Sequence, residues 1–446
     1  MVCLPGPGRS ASPSPYFAAD GRVPGSSLAQ RRTDMMPRPR SPLSALPLVL
    51  CGGALALAAP SSAHADDTVA APPPARADAP PRTLALSGSY VADTVVVADG
   101  PQRGTRYVDL LRVDATADLD RAIGWNGAKF TLTFEAGTGA QPNALADTVE
   151  GIDNAETTLD RPRLFQAFLE QDLGLAQGSL KLGFVDLNSD FYATSASGLL
   201  LAPPFGIGSE LAASGPNGPS IFPSTAPTVT LKLTPLRDLT LMVSAVNAEA
   251  GVIGDPGGPP PLLRQGALLI GEADWTGNGR EDAEGKVALG AWTYTRPQDD
   301  QRETDLTGAP LRRKAWGAYA LVQQPLGSKV TTFLRGGISD GWTTPFSGSL
   351  QAGVLVDGAI PGRPDSVFSA GFHAGFLARG WRANLADAGQ PQRATELGWE
   401  VTLEDKVLPW LKIQPDLQYI RDPAIAPRQD AIVAVLRLTL LPPGQD

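Results

Sequence analysis

Trp410-Leu-Lys-Ile-Gln-Pro-Asp-Leu-Gln-Tyr-Ile420 alternates residue by residue. Leu411, Ile413, Leu417 and Tyr419 fall on one face of an extended chain, and Lys412, Gln414, Asp416 and Gln418 on the other. Side chains of a strand point alternately to its two sides, so this is a strand with one apolar and one polar face. Pro415 sits in its middle and removes one ladder donor. The flanking segments repeat the pattern. Upstream, Leu397, Trp399, Val401 and Leu403 alternate with Glu396, Gly398, Glu400, Thr402 and Glu404; downstream, Ile432, Ala434, Leu436, Leu438 and Leu440 alternate with Val433, Val435, Arg437 and Thr439. Far from this end, Leu111 and Val113 oppose Arg112 and Asp114. Phe130, Leu132 and Phe134 oppose Lys129, Thr131, Thr133 and Glu135.

Carried along the chain, the same template predicts about sixteen strands. They fall near 84–94, 106–120, 128–139, 162–173, 177–187, 227–234, 238–248, 264–275, 284–295, 313–324, 328–338, 347–358, 366–379, 394–405, 410–421 and 430–441. Most run about 8–13 residues, longer than ordinary soluble strands and matched to a tilted membrane-spanning strand of about 9–11. Long and short connections alternate almost throughout. A barrel in an outer membrane has short turns on one side and long loops on the other, whereas a soluble sandwich has no reason for such parity. Period two alone also fits a soluble sandwich or propeller, but no repeat of about 40–50 residues is visible. The expectation is an all-β fold: a single up-and-down transmembrane β-barrel of about sixteen antiparallel strands over 84–441, with a short tail at 442–446.

Composition narrows the function. The 446 residues are 42% hydrophobic and 19% charged with a formal net charge of −9, which argues against a nucleic-acid partner, since that would need a basic face. Gly and Pro number 48 and 42, against an all-helical protein. The first 65 residues read as a presequence. Met36-Pro-Arg-Pro-Arg40 is a basic start, Leu43–Ala59 an apolar run, and Ala63-His64-Ala65 a small-x-small cleavage site. Met35 or Met36 is the start that fits this signal. The Pro/Ala-rich stretch 66–83 is expected to be a flexible periplasmic tether. Cleavage after Ala65 removes both Cys and leaves His373 as the single His. Cysteine nucleophiles and Cys- or multi-His metal sites are thereby excluded, no cofactor is expected, and an enzyme is disfavoured.

The run Trp410–Ile420 with Arg421-Asp-Pro423 resembles the carbohydrate-selective porins, the OprB family, which carry such a run, proline included, in their penultimate strand. Ile360-Pro-Gly-Arg-Pro-Asp365, Asp118-Leu-Asp-Arg-Ala-Ile-Gly-Trp125 and Lys181-Leu-Gly-Phe184 are similar to further landmarks, in family order. The chain departs from the pattern in ending Leu440-Leu-Pro-Pro-Gly-Gln-Asp446 instead of on an aromatic residue. The resemblance implies a sixteen-stranded barrel of the Gram-negative outer membrane that passes small carbohydrates by passive diffusion. Its partners would be outer-membrane lipid, small sugars and the barrel assembly machinery, as a monomer or homotrimer. A non-selective porin and a soluble exported lectin-like β-protein are the alternatives.

A sugar offers hydroxyls around a ring with apolar C–H faces, so a pore for it needs carboxylates, cationic donors and an aromatic face. The inward parity supplies Arg112, Asp114, Lys129 and Glu135, and near the C-terminus Glu396, Glu400, Glu404, Lys412, Gln414, Asp416, Gln418 and Arg437. Pairing of 394–405 with 410–421 across a turn at Asp405–Pro409 would set Glu404 opposite Lys412 and Glu400 near Asp416; pairing of 410–421 with 430–441 would set Arg437 opposite Gln414, one diagonal step from Asp416. Phe333 beside Arg335 is the candidate for ring stacking. Trp292 and Tyr294 fit either the lumen or an interfacial girdle. The stretch from about Asn188 to Ala226, rich in Gly and Pro and almost uncharged, is expected to fold inward and narrow the pore.

Overall fold

A computed structural model describes residues 83–157, 160–253, 259–277, 285–390, 393–423 and 429–442. The expected presequence and the tether up to residue 82 lie outside the described residues. In chain order the strands are β1 Leu84–Asp99, β2 Gly104–Asp118, β3 Ala128–Gly139, β4 Pro162–Asp172, β5 Ser179–Val185, β6 Ala226–Leu236, β7 Leu239–Asn247, β8 Ala267–Thr276 and β9 Lys286–Tyr294. They continue with β10 Gln298–Thr304, β11 Pro310–Arg313, β12 Trp316–Pro325, β13 Val330–Ser339, β14 Phe346–Asp357, β15 Val367–Leu377, β16 Thr395–Leu408, β17 Leu411–Arg421 and β18 Ala431–Leu440. Sixteen of them form one closed antiparallel barrel in which each strand pairs with its chain neighbours, and β10 and β11 make a separate hairpin in the connection from β9 to β12. Closure comes from β1 against β18, in register from Tyr90↔Leu440 to Val97↔Val433. Closure leaves no edge, so every strand's backbone groups are satisfied by its neighbours, as a hydrocarbon surround requires.

Each strand exposes its apolar face outward. Val113, Phe134, Leu182, Val243, Leu289, Leu334, Val401 and Leu436 all stand exposed on the outer surface. Exposed aromatics flank this band: Trp125, Trp275 and Trp410 toward the short turns, and Tyr107, Trp316, Trp399 and Tyr419 toward the other rim. Trp399 lies 5.3 Å from Phe372 and 5.6 Å from Tyr419 by ring centroid, a local row of rings along β15–β17 of the kind an interfacial girdle uses. Among the described residues no helix is long and apolar enough to cross a membrane; the strands make the crossing.

The connections 140–161, 186–225, 248–266, 295–315 and 378–394 leave one rim, and the turns 173–178, 237–238, 326–329 and 409–410 the other. The first hairpin departs from expectation, because β1 runs on to Asp99 and turns through 100–103. The hairpin β16–β17 turns at Pro409-Trp410, so its register runs Thr402↔Asp416, Asp405↔Ile413 and Lys406↔Lys412. Glu404 is therefore not directly opposite Lys412. The expected pairing of Gln414 with Arg437 is present.

Candidate functional site

The interior is not an empty polar tube. The segment 186–225 enters it directly after β5. Asp186 accepts from Asn188 N at 3.0 Å and starts a short turn over Leu187–Ser189. Further turns at Ser195–Ser197 and Pro203–Phe205 lead to a helical turn, α1, at Ser209–Ala212. With almost no charge of its own, this segment can leave water only if its apolar side chains find partners. Leu187, Phe191, Tyr192, Ile207 and Leu211 find them in Met242, Val246, Leu268, Ile270, Trp292, Tyr294 and Tyr319 on the inner wall. The rings of Tyr192 and Tyr319 lie 4.0 Å apart. Trp292 and Tyr294 thus belong to the interior, not to a girdle.

Its backbone polar groups are met by wall side chains. Arg335 Nη1 donates to Tyr192 O at 3.1 Å and Gly206 O at 3.0 Å, and Nη2 donates to Pro204 O. Glu400 accepts from Leu201 N and, at 3.0 Å, from Ala202 N. Gln414 Nε2 donates to Leu199 O at 2.7 Å. Gln323 Oε1 accepts from Ala196 N at 3.0 Å, and Glu272 Oε2 from Tyr192 N at 2.8 Å. Phe333 lies edge-to-face against Phe205, centroids 6.2 Å apart, in an apolar cluster with Ala196, Leu200 and Ala202. Phe333 and Arg335 are 3% and 1% exposed. The expected stacking pair is therefore covered: both side chains do face inward, but the segment 186–225 occupies the ring and the guanidinium.

The connection 140–161 is held in the same way. Glu396 Oε1 accepts from Val149 N at 3.2 Å and Glu150 N at 3.0 Å. Gln418 Nε2 donates to Ile152 O at 2.9 Å. Arg437 Nη2 donates to Asp93 at 2.7 Å and to Asn154 Oδ1 at 2.8 Å. His373 Nδ1 lies 2.8 Å from Glu150 Oε2 and is buried. Beneath this connection, Leu145 and Ile152 pack on Val95, Val97, Val433 and Val435, which explains apolar residues on an inward face. Burial raises the Glu156 carboxyl to about 7; one oxygen accepts from Asn143 N at 2.9 Å, while the other has no partner among the described residues. Burial likewise raises the Glu210 carboxyl.

Of the remaining candidates, Arg112, Asp114, Lys412, Glu404 and Lys129 keep water access, whereas Asp416 and Glu135 are buried. Arg112 and Asp114, 3.0 Å apart, have side chains 32% and 23% exposed. Lys412 and Glu404 meet diagonally at 3.1 Å and are about one-sixth exposed. Lys129 is exposed near the short-turn rim, and Asp416 accepts from Gln418 Nε2 at 3.0 Å within the buried patch. Glu135 is buried against Arg163, at 3.0 Å, and lies 3.5 Å from Arg112. Arg163 was not legible as a partner. The ladder between β3 and β4 slips from Thr133↔Gln166 to Phe134↔Leu164, and the extra residue Phe165 lets both Arg163 and Gln166 face inward. Among the described residues no cluster of three or more His, Cys, Asp or Glu could hold a metal ion.

The comparisons agree with this architecture. No curated protein matches the chain in sequence. Among solved structures, OprB of Pseudomonas putida in its high-pH form superposes with a TM-score of 0.68 at 20% identity, over 80% of this chain and 94% of that one. The outer membrane channel DcaP of Acinetobacter baumannii superposes with a TM-score of 0.52 at 11% identity, over 80% and 96%. The profile of the carbohydrate-selective porin family, OprB, matches residues 102–440. Family and fold point to a channel rather than an enzyme. The chain belongs to the carbohydrate-selective porin family and is a sugar channel of the Gram-negative outer membrane.

Proposed function

We propose that this barrel admits small neutral sugars through the gap left between its inward-folded connections and the wall of β2–β6, without catalysing any reaction. The observation that carries the reading is the seating of 186–225 across the lumen by Arg335, Glu400 and Gln414. These three, with Glu396, Gln418 and Arg437, act as anchors that set the width of the passage. Sugar contact falls to groups that keep exposure: Arg112 with Asp114 on that wall, and Lys412 with Glu404 on β16–β17 toward the short-turn rim. Each pair offers both donors and an acceptor at no net charge. A hydroxyl exchanges water for such a group at little cost and leaves as readily, which throughput requires. Lys129 and Glu135 are assigned to the approach and to holding Arg112 in place. The oligomer is a monomer or trimer, assembled into the lipid by the barrel assembly machinery.

Liposome swelling tests the reading. Vesicles carrying the purified protein should swell in isotonic monosaccharide at rates that fall steeply with sugar size. Arg112→Ala should change the order of rates among monosaccharides of equal size. Equal rates for wild type and variant across the panel would remove Arg112 from the contact set, and no swelling at all would contradict sugar passage.

A further inference from the structure

We infer that the wall beside the constriction carries a stacking station for a neutral pyranose, built on Phe168 and framed by Lys181 and Asp190; it rests on the reading that the pore passes sugars. Strict alternation counted from Arg163 would send Phe168 to the lipid. The slip at Phe165 reverses it: Phe168 pairs with Thr131 and Gly183, whose faces are inward, and its ring is half-buried. The Lys181 ammonium lies over one face of the ring, 5.1 Å from its centroid, and its Nζ lies 2.8 and 2.9 Å from the two Asp190 oxygens. Gly183 lets β5 approach β4 closely at Phe168, since a Cβ there would come 2.6 Å from Phe168 Cα and 2.8 Å from its Cβ.

A recess of about 50 Å³ opens alongside, lined in part by Glu170, Ser179, Lys181, Asp190 and Lys232. That is room for a group of one or two heavy atoms, such as a hydroxymethyl arm, while the ring itself stays in the lumen. Two ammonium groups and two carboxylates leave the station without net charge. It therefore suits a neutral polyhydroxylated ring, whose apolar C–H groups pack on Phe168 beside the Lys181 ammonium while adjacent hydroxyls accept from Lys181 and donate to Asp190. A sugar acid meets Lys181 and Lys232 as well as Asp190 and Glu170, so it gains no net attraction there to offset the desolvation of its carboxylate. Lys181 belongs to the fixed wall and Asp190 to the inward segment, so the station lies where the passage is set.

The test uses full-length protein in planar bilayers, with block of single-channel current by galactose and by its anionic counterpart galacturonate. Galactose should block the wild type at lower concentration than galacturonate. Phe168→Leu should raise the half-blocking galactose concentration about two- to tenfold, the worth of an aromatic contact, and Phe168→Tyr should leave it within about twofold. Lys181→Met, whose side chain keeps most of the bulk, should weaken block as well and serves if Phe168→Leu fails to fold. Wild-type block in both Phe168→Leu and Lys181→Met, or tighter block by galacturonate, would overturn the station while leaving sugar passage intact. A wild type whose current neither sugar blocks would likewise overturn the station, while sugar passage itself stands or falls with liposome swelling.

Discussion

Single side chains divide between holding the passage and lining it. Arg335 is the clearest holder, because its buried guanidinium donates to three carbonyls of one segment. Hydrogen bonds to a charged group are worth about 1.5–3 kcal/mol each. Arg335→Ala is expected to loosen 186–225, enlarge the open-channel current and flatten discrimination among sugars, as recorded in single channels; an unchanged current would mean that the apolar packing suffices. Arg335→Lys should behave nearly like the alanine variant, since one ammonium cannot span three acceptors. Glu156 gives a pH signature. Its carboxyl, raised by burial to about 7, favours the protonated form in the folded connection. Its contribution is thus fully present below the ordinary carboxylate value and is lost as pH rises through about 7. Hydrogen-exchange protection in 140–157, taken relative to the intrinsic rate at each pH, should fall between pH 6 and 8 in the wild type, and Glu156→Gln should remove that step.

At the scale of elements, the barrel strands were readable because lipid outside and polar groups inside impose period two. The failures have local causes. Val95-Val96-Val97 offers no contrast between faces, so the end of β1 was lost. Gln298–Thr304 has no apolar residue, so hairpin β10–β11 gave no signal. Alternation also assigns a face without saying what covers it. The acid-base patch of β16–β18 was legible as inward, but not as a bed for two connections. Phe168 and Arg163 were hidden by a one-residue slip in β4. Two variants test the assignment of faces. Leu132→Arg should lower folding yield into bilayers by about 2–4 kcal/mol if it lies near the midplane, while Thr131→Arg, inward, should be tolerated; equal yields would refute the outward band. Gly371→Val tests the seat of the segment, because a Cβ there comes 2.6 Å from both Leu200 Cδ1 and Phe205 Cζ. Overpacking of about 1–3 kcal/mol should lift the segment and raise conductance without loss of the barrel.

For the molecule as a whole, the fold separates two demands. The closed wall and its outer apolar band answer to the membrane, and the selectivity rests with connections that a rigid cylinder carries inside itself. A wide barrel thereby becomes a narrow channel whose width depends on side-chain anchors, not on strand number. The most direct test of this account is single-channel conductance of the purified protein during a titration with neutral sugars, compared with Arg335→Ala. The account predicts small openings that sugar blocks reversibly and weakly in the wild type, and larger openings with weakened block in the variant. Wild-type openings of a wide, unobstructed pore, indifferent to sugar and unchanged by the substitution, would contradict it.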